Sequence, residues 1–195
     1  MRTANSISPL LTLMRILLGL LFVFSGFVKC IDPTGGAIKI EDYFVAWGLD
    51  VPFSVDMVLS FIQNLLEFSA GFLMLFDLFI PISSLVVLLF MIVFTPLTLY
   101  IAIANPVSDC GCFGDAVKLT NWQTFFKNLI FLPMAVLVFA NRKKFHSRLR
   151  KSGQMSAALI GIITGVLISF TGISDEPWID FRPFSVGTDI IKTKL

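Results

Sequence analysis

Apolar residues run through this chain in five stretches divided by short polar segments: about Pro9 to Cys30, Met57 to Leu78, Ile82 to Ala104, Asn121 to Ala140 and Met155 to Ser174. Each is about twenty residues long, the length a helix needs to cross the hydrocarbon core of a bilayer. The pattern predicts an all-α, polytopic transmembrane helical bundle, with a four-helix core plus a fifth C-terminal span. It fills residues 1–175 and leaves 176–195 as a short extracytoplasmic tail. The first run is expected to stay as a span. It is too long for a signal-peptide core, no small-x-small cleavage site follows it, and Lys29 before Cys30 spoils a lipoprotein-type acylation site.

The polar breaks add detail. Asp32, Pro33, Thr34, Gly35 and Gly36 predict a break after the first span, followed by a loop. Within that loop Ile40, Phe44 and Trp47 recur at helical spacing, which predicts a short interfacial helix. Tyr43, Phe44 and Trp47 then serve either as a headgroup anchor or as a lid over a later loop. Pro96 between Thr95 and Thr98 predicts a kink whose freed carbonyl a threonine hydroxyl satisfies. Gly19, Ser25 and Gly26 in the first span, and Gly161 and Gly165 in the fifth, predict close helix contacts.

Of the 195 residues 56% are hydrophobic and only 14% charged, far from the balance of a soluble domain. The net charge of +2 and phenylalanines spread along apolar runs give no nucleic-acid surface, so the expected surroundings are a lipid bilayer. Charge also orients the chain. Arg142, Lys143, Lys144, His146, Arg148, Arg150 and Lys151 form a basic block between the fourth and fifth spans, and such loops stay cytoplasmic. The N-terminus is then inside. The loop with Asp32, Glu41, Asp42, Asp50 and Asp56 is outside, as is the loop between the third and fourth spans.

That second outer loop, Asp109, Cys110, Gly111, Cys112, Phe113, Gly114, Asp115, holds two of the three cysteines. It faces a compartment where disulfides persist. A bond between cysteines one residue apart closes a very small ring, which departs from relaxed geometry, and strained bridges are oxidising and labile. Gly111 and Gly114 supply backbone angles that other residues resist. Redox exchange is the leading reading, beside a structural staple or idle thiols. Metal ligation needs more ligands than this loop offers. Asp109 and Asp115 disfavour a nearby thiolate and Lys118 favours one, so spacing does not say which cysteine attacks. Cys30, at the outer end of the first span, is a candidate resolving thiol. Within the second span Glu67 is an ionisable residue with Gln63 and Asn64 beside it on one helical face. This makes Glu67 a candidate proton acceptor, and the three a candidate membrane-quinone site, against the alternative of polar helix glue. Lys127 in the fourth span is expected to snorkel to the surface rather than to pair with Glu67.

The loop Cys110-Gly111-Cys112-Phe113-Gly114, the opening Arg15 to Lys29 (RILLGLLFVFSGFVK) and Glu67 followed by Gly71 resemble the DoxX-like membrane proteins. The branch resembled most is that of the methylamine utilisation protein MauE. The tail Ile179 to Phe184, with Gly187, resembles Bacteroidetes-type members of the group. The resemblance implies a bundle similar to the quinone-linked disulfide-forming proteins of the DsbB and vitamin K epoxide reductase type. It implies a bacterial inner membrane with the Cys-Gly-Cys loop periplasmic, and an extracytoplasmic thioredoxin-like or thiol-containing partner. Its fifth span is an addition to the usual four. The expected function is a thiol-disulfide redox protein that supports oxidative maturation or electron transfer for extracytoplasmic proteins, with a membrane quinone. The alternatives are a non-catalytic assembly or scaffold subunit and, with less support, a small-solute transporter.

Overall fold

The computed structural model describes residues 8–107, 110–147 and 149–174. The described chain is an all-α bundle, ordered α1 (Pro9–Ile31), α2 (Pro33–Ala46), α3 (Phe53–Leu75), α4 (Ile80–Ala104), a short extended stretch β1 (Cys112–Asp115), α5 (Asn121–Ala140), a single 3-10 turn (Arg142–Lys144) and α6 (Lys151–Ser174). Among these, α1, α3, α4, α5 and α6 are long and apolar enough to cross a membrane, so this is a multi-pass membrane protein.

Each long helix divides into two faces. In α1 Arg15, Leu18, Gly19, Phe22, Ser25, Gly26 and Lys29 are buried along one face, Val28, Cys30 and Ile31 are buried at the helix end, and Leu13, Leu17, Leu20 and Phe24 are exposed. A stripe of period 3.6 thus faces the bundle, and it is the more polar stripe, because bulky aliphatic side chains are as content in lipid as in protein. α1 and α3 meet through glycine. A Cβ on Gly26 would collide with the Phe68 backbone, one on Gly71 with the Val23 backbone, and one on Gly19 would lie 2.9 Å from the Leu75 backbone. α6 closes on α3 in the same way, with Gly161 against the Phe72 ring and Gly165 against Leu65 and Phe68, as the small-residue spacing predicts.

Two elements differ from the sequence expectation. The segment after α1 is helix from Pro33, not a break and loop: Asp32 caps it by accepting from the Gly35 amide at 2.9 Å, and proline occupies the first turn. The helical glycines have a steric role, since a Cβ on Gly35 would lie 2.6 Å from the Asp32 carboxylate and one on Gly36 2.5 Å from Ser60 Oγ. α3 runs four residues earlier at its start than expected, with Asp56 in its first turn, where the helix dipole favours negative charge. Around Pro96, Thr95 bonds Met91 O at 2.6 Å, and Thr98 bonds Phe94 O at 2.8 Å.

The core is split along the bundle axis. Leu18, Phe22, Met74, Val87, Met91, Ala135 and Val138 form an apolar cluster in one half, which an edge-to-face contact of Phe22 with Phe90 borders. The other half, below the cysteine loop, is polar. The tail 176–195 lies outside the described residues.

Candidate functional site

The loop that carries the cysteines is anchored at both feet. Asn105 ends α4 with a positive φ of 48°, and its side-chain oxygen accepts from Asn121 Nδ2 at 2.9 Å; the same nitrogen also donates to Val107 O at 3.2 Å. On the far side Thr120 and Gln123 form a reciprocal cap that starts α5. Between the feet Gly111 (φ 63°) and Gly114 (φ 52°) take left-handed conformations, and the Gly114 amide donates to Gly111 O at 3.1 Å. The tight turn that the glycines predict is therefore present.

This turn brings Cys110 and Cys112 together as a disulfide-bonded pair, with Cα atoms 5.4 Å apart. Tyr43 of α2 donates its hydroxyl to Cys110 O at 3.2 Å. Lys39 of α2 packs against Gly111, where an added Cβ would lie 3.0 Å from Lys39 Cγ. With Tyr43, Phe44 and Trp47, α2 roofs a cavity of about 170 Å³ in whose wall the disulfide sits. These aromatics share the cavity wall with the cysteine loop, and Trp47 is also half-exposed, a placement open to both the lid and the anchor role.

Below Cys112 lies a second, smaller space of about 30 Å³. Here Glu67 meets Lys29, Nζ to Oε2 2.7 Å, with both side chains almost fully buried. Ser25 donates to the other carboxylate oxygen at 2.6 Å, and its hydroxyl is also in hydrogen-bond contact with Cys112 O. Ser25 thus joins the ion pair to the cysteine loop. Asn64, the inward amide, donates to Lys29 O at 3.0 Å and fixes the end of α1. Lys127 does not snorkel away: its ammonium sits 4.2 Å from the centroid of the Phe113 ring and lines the same space as Glu67. Beside it, Asn128 donates to Thr98 Oγ1 at 3.2 Å.

The two cavities share Lys29, Phe94 and Cys112 as lining. Gln63 faces the upper cavity with Asn64, and also an apolar groove of about 430 Å³ between α3 and α4, where Leu59, Leu66, Leu89 and Val93 are exposed. Cys30 is fully buried, a free thiol beside Ser169 of α6. It is not among the described residues that line either cavity. Asp109 lies outside the described residues, and Lys118 is exposed.

Sequence reasoning brought forward Cys110, Cys112, Glu67, Gln63 and Asn64, and it missed Lys29 and Ser25 as functional groups. Their spacing of four residues puts them on the helix face that also carries Gly26, but nothing in the sequence says that this face turns inward at Lys29. Among the described residues no group of histidine, cysteine or carboxylate side chains is arranged to hold a metal ion.

The family model described as methylamine utilisation protein MauE matches residues 7–141. The match takes in the cysteine loop, Glu67, Lys29 and Lys127, and ends before α6. No curated protein and no solved structure matches the chain.

Proposed function

The chain belongs to the MauE family, and from that premise we propose that it is a membrane thiol-disulfide redox protein whose Cys110–Cys112 pair exchanges with an extracytoplasmic dithiol. A membrane quinone then takes up the electrons. The observation that carries this reading is the position of the pair: in the wall of a roofed cavity that adjoins an apolar groove between α3 and α4, and above a buried ion pair. A structural staple has no need of a charged group beneath it; the desolvation of these two charges is offset by their close pairing and by the Ser25 hydrogen bond.

The parts have separate roles. A dithiol partner gives up two electrons and two protons through a mixed disulfide with this pair. The residues that would hold a quinone are Ile40, Gln63 and Phe94, which the upper cavity and the groove share, and a bound quinone would supply the electron acceptor. Glu67 and Lys29 form the polar floor through which protons move to or from the cavity. The setting is the inner membrane, with the cysteine loop in the periplasm.

Purified protein in nanodiscs, given a reduced thioredoxin-like dithiol and a short-chain ubiquinone, tests this directly. Quinol formation that depends on both Cys110 and Cys112 is expected. If Cys110→Ser and Cys112→Ser variants reduce the quinone as fast as the native protein, the pair is a staple and the scaffold reading takes over.

A further inference from the structure

The two cysteines of the pair do not have the same surroundings, and the difference assigns them different roles. Cys110 borders only the upper cavity; its sulfur lies 3.6 Å from Thr124 Oγ1, and its carbonyl is held by Tyr43 of the roof. Cys112 borders both cavities and stands over the charged floor. The charges there do not balance. Lys29 and Lys127 supply two positive groups, and Glu67 one negative group, already engaged by Lys29. Lys127 has the Phe113 ring and, among the described residues, no carboxylate within ion-pair distance. A second ammonium in a small buried space inside a membrane, where the carboxylate lining that space already pairs with Lys29, is favoured by a further anion that forms near it, and so marks a functional group. Among the described residues, Lys39 packs on the roof side of Gly111, and Asp32 shares with it a small space of about 20 Å³ lined by Gly111 and Gly114.

We propose that Cys112 is the inner sulfur of the pair and that Lys127, with Lys29, stabilises the thiolate it becomes, while Cys110 is the sulfur that the outer thiol attacks. This rests on the redox reading above. A thiolate of the dithiol partner attacks Cys110 Sγ. A partner–Cys110 disulfide forms, the Cys110–Cys112 bond breaks, and its electron pair leaves on Cys112 Sγ. The second partner thiolate attacks its own sulfur in the mixed disulfide, releasing Cys110, which takes a proton from solvent, and an oxidised partner. The two electrons stay on the reduced Cys110 and Cys112 until the quinone accepts them. Lys127 is a positioning residue: it places a positive charge where the leaving sulfur becomes negative.

The test is the alkylation rate of each thiol in the reduced full-length protein in nanodiscs, followed by iodoacetamide labelling and peptide mass spectrometry from pH 5 to 10. In the native protein Cys112 reaches half-maximal reactivity at a lower pH than Cys110. Lys127→Met slows Cys112 about tenfold at neutral pH and Cys110 less than about twofold, and Lys127→Arg restores Cys112. If both thiols slow alike, or neither does, or Cys110 has the lower pH midpoint, the assignment is overturned. The native pH profile decides which sulfur is the inner one even where Lys127→Met fails to fold. Alkylation needs neither partner nor quinone, so this result stands apart from whether the pair turns over.

Discussion

Glu67 and Lys29 show how a single buried contact reorganises the reading of a site. A carboxylate and an ammonium 2.7 Å apart, both shielded from water, are tolerable only together. Lys29→Met or Glu67→Leu alone leaves one charge buried without its partner and is expected to cost on the order of 3 kcal/mol. The double variant recovers most of that loss. Denaturation of the four proteins in the same detergent measures it, and losses that simply add would mean the two groups do not interact. Glu67 was legible in the sequence because an ionisable residue in mid-span has few bland explanations. Lys29 was not, because a lysine at the end of an apolar run ordinarily snorkels to the headgroups. Only the fold reveals that α1 turns it inward, where Ser25 one turn earlier shares the same carboxylate.

At the scale of elements, five spans were legible because length and hydrophobicity are sufficient to define them. The beginning of α2 was not. Asp32-Pro33 and Gly35-Gly36 have the composition of a break, yet aspartate before proline is also how a helix begins, and which applies depends on whether α3 offers a surface to pack on. It does: Ser60 of α3 donates to Pro33 O at 2.8 Å. Glycine contacts set the spacing of the helices. Gly71→Ala places a methyl group against the α1 backbone, which has no flexible end to move aside, and is expected to destabilise the bundle by about 1–3 kcal/mol. Gly153→Ala meets only the Leu149 side chain, at 3.7 Å, and is expected to be neutral or slightly stabilising, since alanine favours helix. Thermal denaturation of the two variants checks the contrast, and equal effects would contradict the packing described for α1 and α3.

The whole molecule is polarised end to end. The cysteine loop, α2 and the two cavities beside the disulfide lie at one end of the bundle; Arg15, which donates to Leu75 O at 3.1 Å, and the turn Arg142–Lys144 lie at the other. The positive end is expected to face the cytoplasm. An impermeant thiol reagent applied to intact cells whose outer membrane has been opened should then label Cys110 and Cys112 after reduction. Labelling that appears only once the inner membrane is broken would reverse the topology and put the pair in a reducing compartment. The account as a whole stands on covalent exchange at the pair, and trapping measures that most directly. Cys112→Ser protein, incubated in membranes under mild oxidation with a thioredoxin-like partner that keeps only its attacking cysteine, should accumulate a mixed disulfide through Cys110, since neither the motif nor the partner then has a second thiol to resolve it. Cys110→Ser should trap far less. Recovery of such an adduct at Cys110, identified by its cross-linked peptide, is the predicted result; failure to trap any adduct from either single-cysteine variant would contradict a redox function for this protein.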